Sequence, residues 1–399
     1  MSERRYDMDW IRVIVFDILI FWHVGLFFVS WSDLVQWDLP MKNNVQVGFL
    51  ATPMLFIRQW RLPILFVVSG MGTSFSLASK NGFQYLKDRF LRLFVPLLCG
   101  IFVVIPPQVY LERILEGTVN ASFFAYYPST FEGIYPEGNL SWGHLWFLPY
   151  LLLMSVAALP LFLSLRNNGN RLIAHGKNLL EKSPLYLYLP VIPLFVIEII
   201  LESRFPLTMA LKDDWYAFSF YFVCLVAGFF LATLGQVTWK SFVNVRYLSL
   251  LAGILASLAL WMLSGNDYAF WIHLVKPLNT WSWILCIFGF GSKYLNVKSK
   301  ILTYRNQAVY PFYILHFTII IYLGFLLMDL PMHYAWKMLI MLIGTYGISW
   351  ILYEFIIRRI PLLRALFGLK QKKNENDNTA YSMDASGLNC ESPAGRRSR

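Results

Sequence analysis

Ten apolar runs follow one another through this chain, and basic residues crowd every second gap between them. About 20 apolar residues carry a helix across a bilayer core. By that measure the runs fall at 11–31, 52–78, 91–110, 144–165, 186–201, 216–235, 247–264, 277–292, 307–328 and 335–357. The fold class expected is therefore all-α, a polytopic integral membrane bundle of about ten transmembrane helices. Composition agrees: 57% of residues are hydrophobic and only 14% charged, against about 25% charged in soluble domains.

The loop charges orient the bundle. Lys and Arg gather on the cytoplasmic side of inserted helices. One set of ends carries Arg4 and Arg5, then Lys80 to Arg92, Arg166 to Lys182, Lys240 and Arg246, Lys293 to Arg305, and Arg358 to Arg364. The opposite loops hold few cations and collect Glu112, Glu116, Glu132, Glu137, Asp213 and Asp214. The alternation runs unbroken over all ten spans, so both termini are expected in the cytoplasm. The net charge of +11 then belongs to topology, and no nucleic-acid partner is expected. The first apolar run is too long for a signal-peptide core and lacks a small-residue cleavage site. Cys99, Cys224, Cys286 and Cys390 have no metal-ligand spacing, so neither a metal site nor a structural disulfide is expected. A polar, aperiodic tail from residue 370 to 399 reads as disordered. The outer loop at 111–142, rich in Tyr, Phe, Gly and Pro, either caps a site or packs on the outer face.

Ionisable residues inside a membrane are costly and point to function. The first span, "DWIRVIVFDILIFWHVGLFFVSW", holds Arg12, Asp17 and His23. Arg12 and His23 are 11 positions apart, which places them about 20° from one helical face and roughly 16 Å apart along the axis. Asp9, three residues before Arg12, can pair with it. Asp17 falls on another face and is expected to pair with a neighbouring helix. An arginine at the cytoplasmic boundary suits phosphate, and a buried imidazole suits proton removal from a hydroxyl. A packing histidine and a topological arginine are the plainer readings.

The second span reads "RQWRLPILFVVSGMGTSF". Arg61 lies a turn below the outer boundary, either anchoring the helix or clamping an anionic acceptor. Pro63 is placed to kink the helix. Small residues around Ser69 and Gly70 permit close helix approach or a backbone-lined pocket. Ahead of the third span, Arg89 and Arg92 share a face at the cytoplasmic boundary, suited either to anchoring or to holding a nucleotide donor such as coenzyme A. His316 lies near mid-depth in the ninth span, and His144 opens the fourth at the outer face.

The Arg12–x10–His23 pattern resembles the R-x10-H signature of the membrane acyltransferase-3 family. "LFVVSGMG", "RFLRLFVP", "HLWFLPYLL" and "YPFYILHFTII" are similar to four further segments of that family, in the same order. The resemblance covers nearly all of residues 1–369 and implies a transmembrane enzyme that moves acyl groups. The co-substrate would be acyl-CoA, with no tightly bound cofactor. The acceptor would be an extracytoplasmic glycan or lipid-linked sugar, and the setting the inner (plasma) membrane with its lipid. His23 would be the catalytic base, with Arg12, Arg89 and Arg92 on the donor side. Arg61, Ser69, Gly70, His144, Trp146 and His316 would line or support the site. The "RQWRLPILFVVSG" phrasing leans towards the periplasmic-glucan succinyltransferases. An exporter of an anionic metabolite or glycan is the alternative, although no internal repeat of the kind common in transporters is visible.

Overall fold

A computed structural model of the chain describes residues 4–30, 41–166, 170–263 and 269–369. The expected disordered tail and the end of the first apolar run lie outside the described residues. Every major element among those described is a helix, and the one β feature is an isolated bridge between Ile134 and Leu140. The elements are α1 (Tyr6–Leu26), α2 (Ala51–Leu77), α3 (Gly82–Leu115), α4 (Gly143–Leu165), α5 (Arg171–Lys182) and α6 (Pro184–Leu201). They continue as α7 (Trp215–Thr233), α8 (Gln236–Leu263), α9 (Ala269–Tyr294), α10 (Lys300–Leu327), α11 (Tyr334–Ile357) and α12 (Pro361–Leu366).

Eight of these, α2 to α4, α6 to α8, α10 and α11, are long and apolar enough to cross a membrane. The protein is thus an all-helical membrane protein. The first and eighth expected spans correspond to α1 and α9. Both are longer than 18 residues but fall outside that apolar set. Asp7, Asp9, Arg12 and Asp17 interrupt α1, and the polar "HLVKPLNTW" stretch dilutes α9. The third span, expected at 91–110, is extended at both ends by α3. The amphipathic α5 fills a loop read from sequence as basic and irregular. Its Gly176 lies against Phe230 and Leu234 of α7 and the loop that follows.

Prolines inside these helices leave backbone carbonyls bare, because a proline at position i has no N–H for the carbonyl at i−4. Neighbouring hydroxyls take up three of them. Tyr310 Oη donates to the Arg92 carbonyl freed by Pro96, at 2.7 Å. Tyr127 Oη donates to the Phe102 carbonyl freed by Pro106, at 2.8 Å. Thr280 Oγ1 donates to the Gln59 carbonyl freed by Pro63, at 3.2 Å. In α3 the local response to both prolines is a stretch of π-helix, Phe90–Phe94 and Gly100–Val104. Lipid offers no water to satisfy such groups, so these bonds fix which helices lie side by side.

Glycines set the closest crossing. A Cβ on Gly70 of α2 would strike the Leu225 carbonyl of α7, and one on Gly228 of α7 would strike the Val67 carbonyl. The two glycines therefore let the backbones of α2 and α7 touch. Near the opposite end of α7, a buried polar knot joins three helices. Glu198 of α6 meets Lys276 of α9 at 2.5 Å, and Tyr216 Oη of α7 donates to Glu198 at 2.6 Å.

Candidate active site

Three histidines from three helices converge in the interior. His23 on α1 and His316 on α10 lie with ring centroids 5.0 Å apart, and His144 at the start of α4 lies 5.1 Å from His316. His316 is fully buried and His144 nearly so. His144 therefore does not meet outer water, as its position at the start of a span suggested. Phe317 sits against both His23 and His144, at 4.9 and 5.2 Å between centroids.

The hydrogen bonds determine where the ring protons sit. A carbonyl oxygen can only accept, so a ring nitrogen facing one must carry the hydrogen. His316 Nδ1 lies 2.7 Å from the Tyr313 carbonyl, so it is the donor, and Nε2 of the neutral ring is an acceptor. That acceptor faces His23 Nδ1 at 3.0 Å, which must then be protonated. In the neutral ring of His23 this leaves Nε2 as the lone-pair nitrogen, and the ring also makes a hydrogen bond with the Leu19 backbone one turn back. By the same logic His144 donates from Nε2 to the Ile314 carbonyl at 3.1 Å and accepts at Nδ1 from Gln108 Nε2 at 3.4 Å. Gln108 also donates to Thr318 Oγ1 at 2.6 Å. Both ring nitrogens of His144 are thus engaged, as are both of His316, through Tyr313 and His23.

Arg61 comes to the same level from α2. Its guanidinium lies over the Trp22 ring, 3.9 Å from the centroid, and only 3% of the residue is exposed. Its Nε and Nη1 are buried without a hydrogen-bond partner.

The N-terminal end of α1 and the C-terminal half of α2 border a cavity of about 330 Å³. Arg4, Arg5, Asp9 and Arg12 line one side, and Val68, Met71, Gly72 and Phe75 the other. Arg12 is held by Asp9 at 3.3 Å and by Asn306 of α10, which also donates to Asp9 at 3.0 Å. Arg92 acts on Arg12 electrostatically from α3. Arg12 and His23 thus both meet α10, through Asn306 and His316. His23 is not among the residues that line this cavity. Asp17 pairs with Arg305 and with Tyr346 of α11, away from the histidines, as its angular position required.

The other expected site residues are placed as follows. Arg89 donates to Thr73 Oγ1 at 2.5 Å and to Tyr85 Oη at 3.0 Å, tying α3 to α2. The Ser69 carbonyl accepts from Thr73 at 2.9 Å within the same cluster. Gly70 is spent on the crossing with α7, and it is Gly72 that lines the cavity. Trp146 packs on Tyr150 and Tyr221, one layer from the histidines. The sequence reading passed over Asn306, Gln108 and Thr318. Each is a lone polar residue in or beside an apolar run, which was the available signal.

A family model described as an acyltransferase domain matches residues 5–354. The chain is 25% identical over 401 aligned residues to "Glucans biosynthesis protein C" of Escherichia coli O81 (strain ED1a), covering 94% of this chain and 97% of the relative. The same identity and coverage hold for the proteins of that name from Escherichia coli strains SMS-3-5 / SECEC and K12 / DH10B. No solved structure matches. The family match spans α1 to α11 and with them the histidine cluster, Arg61 and the cationic mouth: this chain belongs to the acyltransferase-3 family and is a membrane acyltransferase of the kind that transfers groups other than amino-acyl groups.

Proposed function

We propose that the chain is an O-acyltransferase of the inner membrane, with ten crossings and both termini cytoplasmic. It moves an acyl group, acetyl or succinyl, from cytoplasmic acyl-CoA to a hydroxyl of an extracytoplasmic glycan or lipid-linked sugar. The observation that carries this reading is the Nδ1 proton of His23, directed to His316, which leaves Nε2 as the basic nitrogen of the neutral ring. The acceptor hydroxyl gives its proton to that nitrogen as its oxygen attacks the thioester carbonyl. The C–S bond then breaks, and the leaving thiolate takes the proton back from His23. The products are an ester and free coenzyme A. General-base assistance of this type is worth about 10²–10⁴-fold.

The cationic mouth supports the donor assignment. Arg4, Arg5 and Arg12 outnumber Asp9 in its lining, which favours phosphates, while Met71 and Phe75 offer an apolar wall. The names of the relatives support a glycan acceptor. The test is purified protein in liposomes supplied with radiolabelled acetyl- or succinyl-CoA and candidate glycans. Wild type labels the glycan, and His23→Ala loses at least about 100-fold while remaining monodisperse in detergent. Equal activity in that variant removes His23 from the base role, and no labelling by wild type with any thioester rejects the acyl-transfer reading.

A further inference from the structure

Arg61 is a cation without a counter-charge. It is 97% buried by its 3% exposure, Nε and Nη1 have no acceptor, and among the described residues no hydrogen bond or ion pair reaches its guanidinium. Its one contact of note is the face of Trp22, at 3.9 Å. A buried cation left unpaired carries a desolvation cost that stacking on a ring offsets only in part. Other buried cations here are satisfied: Lys337 donates to Asn43 and to the Met328 carbonyl, both at 2.9 Å. Arg61 therefore stands out as a donor set held ready for an anion that the chain does not supply.

Its place says which anion. Trp22 is the neighbour of His23 in sequence, and their rings lie 5.3 Å apart, so one ring, Trp22, lies in contact range of both the guanidinium and His23. Arg61 also acts electrostatically on both His23 and His316. The helices that carry Arg61 and His23 are those that line the cationic mouth, with Val68, Met71 and Gly72 two to three turns along α2 from Arg61. A planar guanidinium is matched to a carboxylate by its fork of N–H groups. We propose that Arg61, stacked on Trp22, is a carboxylate seat between α1 and α2, two to three turns along α2 from the cavity lining. It takes a carboxylate carried by a substrate of the acyl-transfer reaction. The proposal rests on the acyltransferase reading for its substrate but not for the seat itself.

Two arms locate the carboxylate. The first compares a four-carbon thioester ending in a carboxylate with the neutral four-carbon thioester, on a neutral glycan. The second compares a carboxylate-bearing glycan with a neutral one, using the neutral thioester. In wild type one arm gives a preference for the anionic substrate of about 100-fold, the scale of a hydrogen-bonded charge pair. In Arg61→Gln that ratio falls to within about threefold of one, and in Arg61→Lys it is intermediate, because the point charge survives without the fork. The arm that responds identifies the source. A ratio unchanged in Arg61→Gln overturns the proposal, as does an equal loss with all four substrates, which would make Arg61 an oxyanion or structural group. A third measurement needs no turnover. Free succinate raises the melting temperature of wild type and not of Arg61→Gln, and equal shifts in both overturn the seat. Should wild type transfer nothing yet show this difference, the acyl-transfer reading fails and the seat stands.

Discussion

His316 Nε2 accepts the Nδ1 proton of His23 across 3.0 Å, and this bond decides which nitrogen of the neutral His23 ring keeps its lone pair. The direction is imposed from behind, because the Tyr313 carbonyl 2.7 Å away holds the other proton of the pair on His316 Nδ1. His316→Phe removes the acceptor and frees the His23 ring to rotate or change tautomer. Losses of about 10–100-fold are typical when such an outer partner is removed. The expected result is that kcat falls by this amount with little change in KM, and that His316→Gln, whose amide oxygen can accept, recovers part of it. Steady-state kinetics over a pH series would show it; a pure KM effect would place His316 in substrate binding instead.

Two glycines one residue apart are expected to behave oppositely. Gly70→Ala drives a methyl group into the Leu225 carbonyl, whereas a Cβ on Gly72 meets nothing within 4 Å. Overpacking of this kind costs about 1–3 kcal/mol. Gly70→Ala should therefore lower the melting temperature in detergent and Gly72→Ala should not. Because Gly72 lines the cationic cavity, Gly72→Trp should instead raise KM for the acyl donor in a folded protein.

The mouth makes a separate prediction. Arg12 is positioned by Asp9 and Asn306. Arg12→Gln should raise KM for acyl-CoA by about 10–100-fold, the range of a lost charge-assisted bond. Asn306→Ala should raise it less, since Asp9 remains. The effect should be strongest in low salt, where the cationic lining is least screened.

Asp17 and Arg305 form a pair that serves packing, with Tyr346 donating to Asp17 at 3.1 Å. Asp17→Ala and Arg305→Ala should each lower thermal stability. The double variant should be no worse than the poorer single, a coupling of about 0.5–3 kcal/mol. Additive losses in a double-mutant cycle would separate the two residues.

The alternation of basic ends requires an even number of crossings. A reporter that fluoresces only in the cytoplasm should give signal when fused to either terminus. Signal at one terminus alone would mean an odd count, and would identify α1 or α9 as the helix that lies outside the membrane.

Much of this arrangement was legible because helical geometry is regular. Eleven residues are close to three turns, so Arg12 and His23 had to meet one neighbour, and they do through Asn306 and His316 of α10. Asp17, on another face, stays clear of the histidines, although its partner Arg305 is on α10 as well. What could not be read was which partner each polar group would find, since that depends on helices far apart in sequence. Arg89 and Arg92 are equivalent on a helical wheel. The fold turns Arg89 onto Thr73 and Tyr85 and leaves Arg92 exposed near Arg12. Gly70 and Gly72 likewise look alike as small residues, and only the crossing with α7 separates them. The apolar criterion that finds eight helices also misses α1, because the charges that make it informative lower its hydropathy.

The borrowed hydroxyls of α3 bear on how the chain is made. When α3 enters the bilayer, the carbonyl above Pro96 has no donor of its own, and a bare carbonyl in hydrocarbon costs several kcal/mol. Its eventual donor, Tyr310, lies 218 positions later and does not yet exist on the growing chain. The Phe102 carbonyl waits only 25 positions for Tyr127. The half of α3 around Pro106 can thus settle almost at once, while the half around Pro96, next to Arg89 and Arg92, stays provisional until synthesis is nearly complete. An early helix therefore waits on a late one, α10, for one of its backbone bonds.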